Sequence, residues 1–300
     1  MKITTLIVAA GWLAVLPLSV QAKIERKVEQ AFTVQPGVTL KVDTQGGTIR
    51  VKTGQDGQVH VTAIQKIRTN SETEADALLK KLELTIGQDG NTVTASAKYE
   101  KRGSGFNFSS WPPVQVDFEV TVPVHCNPEL RTSGGDIVVG NLSGAVVART
   151  SGGDVRLGRI EGEVHAHTSG GDIALEQATG LSELHTSGGN IVVTRVAGAL
   201  DATTSGGDVT AKFIGALQGD CVLSTSGGNV RAAVDAGAGF QLEASTSGGE
   251  VNATGLTITI EHGAIGRSRL SGKVNGGGPL LKLRTSGGDI DIVTASMTVR

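Results

Sequence analysis

The sharpest chemical pattern in the sequence is a set of histidines and carboxylates spaced by a fixed interval. His165 and His167 alternate along Val164-His165-Ala166-His167, and His185 follows His167 by 18 residues. Glu183 and Asp201 continue the series of His165 at that same interval. If 18 residues is one turn of a repeating fold, these side chains share one sheet face. Imidazoles beside carboxylates are ligands for a transition metal. The candidate ligands are His165, His167, His185 and Glu183, and ordinary solvated residues on an exposed strand are the competing explanation.

A second series is purely acidic. Asp136, Asp154, Asp172, Asp208 and Asp289 occupy one position of a repeat, with Asn190, Asn229 and Glu250 at its other copies. Stacked carboxylates repel one another unless corner amides hydrogen-bond them, as in Asx turns, or cations bridge them. Calcium is an alternative, since 18 residues equal two nonapeptides of a calcium-binding β-roll. The Gly-Gly-x-Gly-x-Asp pattern of those rolls is absent, however. The expectation is a structural Asp ladder and no required cofactor. A third cluster is aromatic: Phe106, Phe108 and Trp111 fall in the loop 101–113. They would pack over the end of the fold or form an interaction loop for a partner.

Patterns for catalysis are missing. There is no Gly-x-Ser-x-Gly, His-Glu-x-x-His or Walker A sequence. From Thr132 onward only Phe213 and Phe240 could serve as sugar-stacking rings. A carbohydrate-active β-helix enzyme therefore remains a second alternative, and the expectation is no enzyme. A net charge of −2 lacks the basic footprint of a nucleic-acid binder.

The elements that would position these residues follow from the repeat. Thr-Ser-Gly-Gly begins at Thr132, Thr150, Thr168, Thr186, Thr204, Thr225, Thr246 and Thr285, with offsets of 18, 18, 18, 18, 21, 21 and 39. The last offset suggests a degenerate copy near Ser271-Gly272-Lys273-Val274. Two residues after the second glycine stands a β-branched residue (Ile137, Val155, Ile173, Ile191 and onward), then a variable one, then an apolar one. That is the period-2 signature of a strand with one buried face. In the early copies a second strand follows a bend at Gly144, Gly162, Gly180 or Gly198. Each copy reads as one coil of a parallel β-solenoid with about 18–21 residues per coil, consecutive coils stacking about 4.8 Å apart. The glycines of the Thr-Ser-Gly-Gly copies, and those at the opposite bend of the early coils, are then corner residues, placed where φ is positive or backbones approach closely. The fold class is all-β dominated.

The domains expected are a Sec signal peptide (1–22), an N-terminal cap (23–125) and the solenoid (126–300). The first has Lys2, an apolar run from Leu6 to Val20, and small residues at Val20 and Ala22. Its apolar run falls short of a spanning helix, and no integral membrane segment is expected after cleavage. The cap has short alternating strands and one helix near 71–84, opened by the capping box Ser71-Glu72-Thr73-Glu74. Cys126 and Cys221 would lie about five coils, roughly 24 Å, apart. That exceeds disulfide reach, so two free thiols are expected.

The opening at Phe32–Lys41, the capped helix Ser71–Leu84, the strand into Val120-Thr121-Val122-Pro123 and the serial Thr-Ser-Gly-Gly-Asp-Ile/Val copies together resemble the bacterial putative-adhesin domain of unknown function. The resemblance implies a β-solenoid on exported or envelope-associated proteins, periplasmic or at the cell surface, and brings no catalytic residues with it. The function expected is a non-enzymatic structural, adhesive or protein-interaction module of the cell envelope. A calcium- or transition-metal-binding solenoid is the first alternative.

Overall fold

The computed structural model describes residues 24–99, 112–260 and 266–295. The expected leader (1–22) and the loop residues Phe106, Phe108 and Trp111 lie outside them. The alternating apolar columns build two sheets of 13 strands each. One hydrophobic cluster, running from Val34 to Ile292, is shared by both. In the first sheet Val155–Glu161, Ile173–Ala178, Ile191–Val196 and Val209–Phe213 succeed one another in parallel. In the second, Val146–Arg149, Val164–His167, Ser182–His185, Leu200–Thr203 and Cys221–Ser224 do the same. The register is that of the repeat, with Val155, Ile173, Ile191 and Val209 aligned in one column. These four are fully buried, each removing from water an apolar side chain whose burial stabilises by about 1.5–3 kcal/mol.

Neither sheet closes on itself. One ends at Ile24–Thr33 and Val251–Thr254, the other at Leu82–Asp89 and Ile258–Thr259. The region 23–125, read from sequence as a separate cap, is continuous with these sheets. Val38–Thr44 pairs in parallel with Cys126–Thr132, and Ile49–Thr53 with Ile137–Val139. Thr44-Gln45-Gly46-Gly47 is therefore a coil corner in its own right. The helix covers Glu72–Leu79, with the Ser71 hydroxyl accepting from Glu74 N–H. It is shorter than expected because Leu82, Leu84 and Ile86 follow a period of two and join the strand Leu82–Asp89.

Coils do not stack in sequence order at the ends of the rod. The rung of Thr92–Tyr99 and Val114–Val122 lies outside the earlier rung 38–53. At the other end, Leu280–Arg284 and Ile290–Ala295 insert between the rung 221–235 and the rung 240–254. The expected degenerate copy at 271–274 is instead part of Arg269–Val274, which runs antiparallel to Phe240–Ser245. That reversal returns the chain to the side where a parallel rung can begin, and so permits the insertion. In the Thr-Ser-Gly-Gly region, Phe213 and Phe240, both buried, belong to the two 21-residue coils.

The corners are built on close approach alone. None of the Thr-Ser-Gly-Gly glycines has a positive φ. A Cβ on the second glycine would instead meet the carbonyl oxygen of its counterpart in the rung beneath, at 2.1 Å for Gly171 over Gly153 and 2.0 Å for Gly189 over Gly171. The first glycine is less confined, its nearest contact being 3.6 Å at Gly170. Gly171→Ala should therefore lower unfolding free energy by about 2–4 kcal/mol and Gly170→Ala by under about 1 kcal/mol, read by chemical denaturation. Equal losses from the two would contradict this account of the corner.

Candidate functional site

The threonine that opens each corner is buried in all eight copies, from 0% exposed at Thr168 to 8% at Thr246. A buried hydroxyl needs a partner, and here it has two. Thr168 Oγ1 donates to Gly153 O at 2.8 Å in the neighbouring rung and accepts from Gly171 N–H of its own corner at 3.3 Å. Thr150 and Thr186 repeat the arrangement on Gly135 and Gly171. This staple was legible only as a spacing marker; nothing in the sequence separates a buried threonine from an exposed one.

The Asp ladder lies on the far side of the corner glycines. Asp154 N–H donates to Asp136 Oδ1 at 3.0 Å, Asp172 N–H to Asp154 Oδ1 at 2.8 Å, and Asn190 N–H to Asp172 Oδ1 at 2.7 Å. Asn229 N–H donates to Asp208 Oδ1, and Glu250 N–H to Asp289 Oδ1. Each carboxylate thus accepts from the adjacent rung, where an Asx turn would have it accept from its own. Asn190 and Asn229 make the same bond, accepting at 2.8 and 2.9 Å from Asp208 and Asp289 N–H. Their neutrality shows that the position needs an acceptor oxygen and no charge. Arg156 neutralises part of the ladder, reaching Asp154 at 2.6 Å and Asp136 at 3.6 Å.

The ladder extends to one residue that sequence reading missed. Asp117 is 3% exposed. Its carboxylate accepts from Thr48 N–H at 2.9 Å, Gln115 Nε2 at 3.1 Å and Lys66 Nζ at 2.6 Å. Burial pushes its pKa up, but the Lys66 ammonium and these hydrogen bonds outweigh it and hold the carboxyl below its ordinary range. Asp117 sits in no Thr-Ser-Gly-Gly copy, and the signal was only an acid in an otherwise apolar alternation.

Among the histidines, His165 and Glu183 face each other on adjacent strands, Nδ1 to Oε2 at 2.8 Å. His167 and His185 are register partners one column away. Among the described residues no group of three or more His, Cys, Asp or Glu side chains is arranged to hold a metal ion. The column of His167 contains another feature absent from the sequence reading. Arg131 and Arg149 precede it on successive rungs, directly before each corner threonine.

Residues 38–293 match the Toastrack family, DUF4097. The chain belongs to that family. No curated protein sequence matches it. Among solved structures, the Toastrack chain is similar to a Bacteroides fragilis protein described as a putative adhesin, with 15% identity, a TM-score of 0.48, and 89% of this chain and 97% of that one covered. A Parabacteroides merdae putative adhesin gives 11% identity, a TM-score of 0.41, and 89% and 96% coverage. A Parabacteroides distasonis protein described as a putative lipid binding protein gives 11% identity, a TM-score of 0.38, and the same coverages. No helix among the described residues is long and apolar enough to cross a membrane.

Both thiols of the Toastrack chain are free and buried. Burial pushes Cys126 up to about 12 and Cys221 up to about 11. A thiol whose pKa is raised on folding contributes stability below its unfolded pKa of about 8.5 and loses it as pH rises through the folded value. Native protein at pH 8 should leave an aromatic disulfide reagent unconsumed, and denatured protein should consume two equivalents. Stability should decline above roughly pH 9. For the ladder, Asp172→Asn should keep unfolding free energy within about 0.5 kcal/mol, and Asp172→Ala should lose about 1–2 kcal/mol. Calcium should leave the melting temperature unchanged; a rise that Asp172→Asn abolishes would reassign the ladder to cation binding.

Proposed function

We propose that this chain is an exported, non-enzymatic β-solenoid that acts as an adhesive or protein-interaction module of the cell envelope. One observation carries the reading. Inward and corner positions repeat from coil to coil, while the outward position between the two buried residues of the first-sheet strands does not. It holds Val138, Arg156, Ala174, Val192, Thr210, Arg231, Asn252 and Asp291. A chain that keeps its frame uniform and varies one outward column presents a surface. The described titratable groups with shifted pKa, Asp117, Cys126 and Cys221, are all engaged in the frame and not gathered in a cleft. An active site gathers such groups in a cleft. The region before residue 126 supports the reading as a terminator of the rod, because its antiparallel outer strands replace an open parallel edge. The loop of Phe106, Phe108 and Trp111 is the proposed aromatic contact.

Tagged mature chain (23–300) mixed with isolated envelopes should be retained saturably and displaced by untagged chain. F106A/F108A/W111A should weaken retention at unchanged melting temperature. Absence of saturable retention would refute the envelope role, and depolymerisation of an acidic glycan by the purified protein would refute the non-enzymatic one.

A further inference from the structure

The outer face of the second sheet carries a charge arrangement that its folding does not explain. Arg131, Arg149, His167 and His185 lie on four successive rungs in one column, register partners throughout, and the rung before Arg131 closes the line with Asp43, which holds Lys98 at 3.5 Å. The column continues with the hydroxyls of Thr203 and Ser224 and then Arg284. Arg131, Arg149 and His167 are exposed. Among the described residues neither Arg131 nor Arg149 has an ion-pair partner, although Glu129 stands one column away and is shared with Lys41 at 3.7 Å. Like charges directly opposite across a strand pair are destabilising. At about 4.8 Å between rungs, two stacked guanidiniums cost stability and return none. Thr203, Ser224 and Ser245 show what the frame itself accepts at this position.

The acids nearest the column are engaged. Glu183 faces His165 at 2.8 Å, and Asp201 accepts from Thr203 Oγ1 at 3.1 Å. The corner serines flank the other side, with Ser133, Ser151 and Ser169 exposed. What results is a straight line of donors one residue wide, bordered by hydroxyls and then by carboxylates.

Resting on the reading of the chain as an envelope interaction module, we infer that this column binds a linear polyanionic glycan, lying along the rod. Such a chain would present carboxylate or sulfate groups at intervals of one or two rungs, about 5 or 10 Å. The width selects the partner. An anionic bilayer is a plane and would press against Glu129, Glu183 and Asp201 as well as the arginines. A single polymer strand meets only the cationic line. Nucleic acid would call for stacking rings beside the charges, and the column has none.

The test is titration calorimetry of the mature full-length chain with polygalacturonate, with neutral dextran and with vesicles of phosphatidylglycerol in phosphatidylcholine. Polygalacturonate should bind at low salt and weaken steeply as salt is raised, as counterion-releasing contacts require. Neutral dextran should not bind. R131T/R149T should weaken polygalacturonate binding at least about tenfold, at equal or higher melting temperature because a repulsion has been removed. No binding at low salt, binding untouched by R131T/R149T, or binding to the vesicles with none to the polymer would each overturn the inference. Retention on envelopes without affinity for the polymer would overturn it alone, leaving the interaction role intact. Affinity for the polymer without envelope retention would overturn the envelope role instead.

Discussion

The separation of two backbones at the coil corner is the constraint on which the rest of this molecule depends. Parallel rungs must approach to about 4.8 Å, and at the second glycine of each Thr-Ser-Gly-Gly corner they come close enough that a Cβ would lie 2.0–2.2 Å from a carbonyl oxygen. That leaves room for no side chain, so the residue is glycine in every copy. Closeness also dictates the chemistry on either side. A backbone turned this sharply at the edge of two sheets leaves amides and carbonyls without sheet partners, and they must be paired if buried. Threonine supplies the hydroxyl on the inner side and Asp or Asn supplies the oxygen on the outer side. The Thr-Ser-Gly-Gly-Asp string is therefore a single hydrogen-bonding device repeated along a rod, and its strictness follows from the close approach of the rungs.

Much of this is legible in the sequence itself. Inward columns such as Ile137, Val155, Ile173 and Ile191 follow from period-2 alternation locked to a repeat, and all are buried. The pairing of His165 with Glu183 followed from the 18-residue interval. What escaped was anything depending on which rung lies next to which. Thr285 donates to Gly228 O at 2.7 Å, and Thr246 donates to Gly288 O at 2.8 Å. The last corner in sequence is thus the neighbour of two earlier ones. Identical corners are interchangeable by design, so the repeat alone cannot encode their order. Order is set by the connections, above all by the antiparallel Arg269–Val274, and a search for repeats reads such a strand as a poor copy. Roles of single residues escaped for a related reason: Asp117 and the corner threonines act through neighbours distant in sequence, Lys66 and the next coil.

The same interchangeability bears on the ends of the rod. A parallel solenoid that simply stopped would expose a full row of amides and carbonyls to any other copy. Here the outer rung at one end is followed in the first sheet by antiparallel Gln58–Ile67 and Ile24–Thr33, and at the other end the second sheet continues into antiparallel Arg269–Val274, while the first sheet ends there on the parallel Val251–Thr254. Antiparallel additions break the identity of the corner ladder, because they bring no Thr-Ser-Gly-Gly to stack upon. At the end formed by Ile24–Thr33 a second molecule offering its own coil would find no such corner. Strand direction thus changes at three of the four sheet ends, and the last coil in sequence is inserted between two others.

A frame held this way separates stability from surface. Corner bonds and inward columns are saturated rung by rung, so the outward positions are released from structural duty and can carry charge that folding does not reward. Stacking makes that release directional: any residue type placed in an outward column becomes a line at fixed spacing along the rod. A globular domain gathers functional groups by folding distant segments into a pocket. This chain gathers them by repetition, and its surface is best understood as columns. Where the column of Arg131, Arg149, His167 and His185 replaces the Thr203, Ser224 and Ser245 of later coils, Thr132, Thr150, Thr168 and Thr186 beside it keep the corner bond unchanged. Charge was added where the frame could not feel its loss, which is where a binding surface on a solenoid has to be.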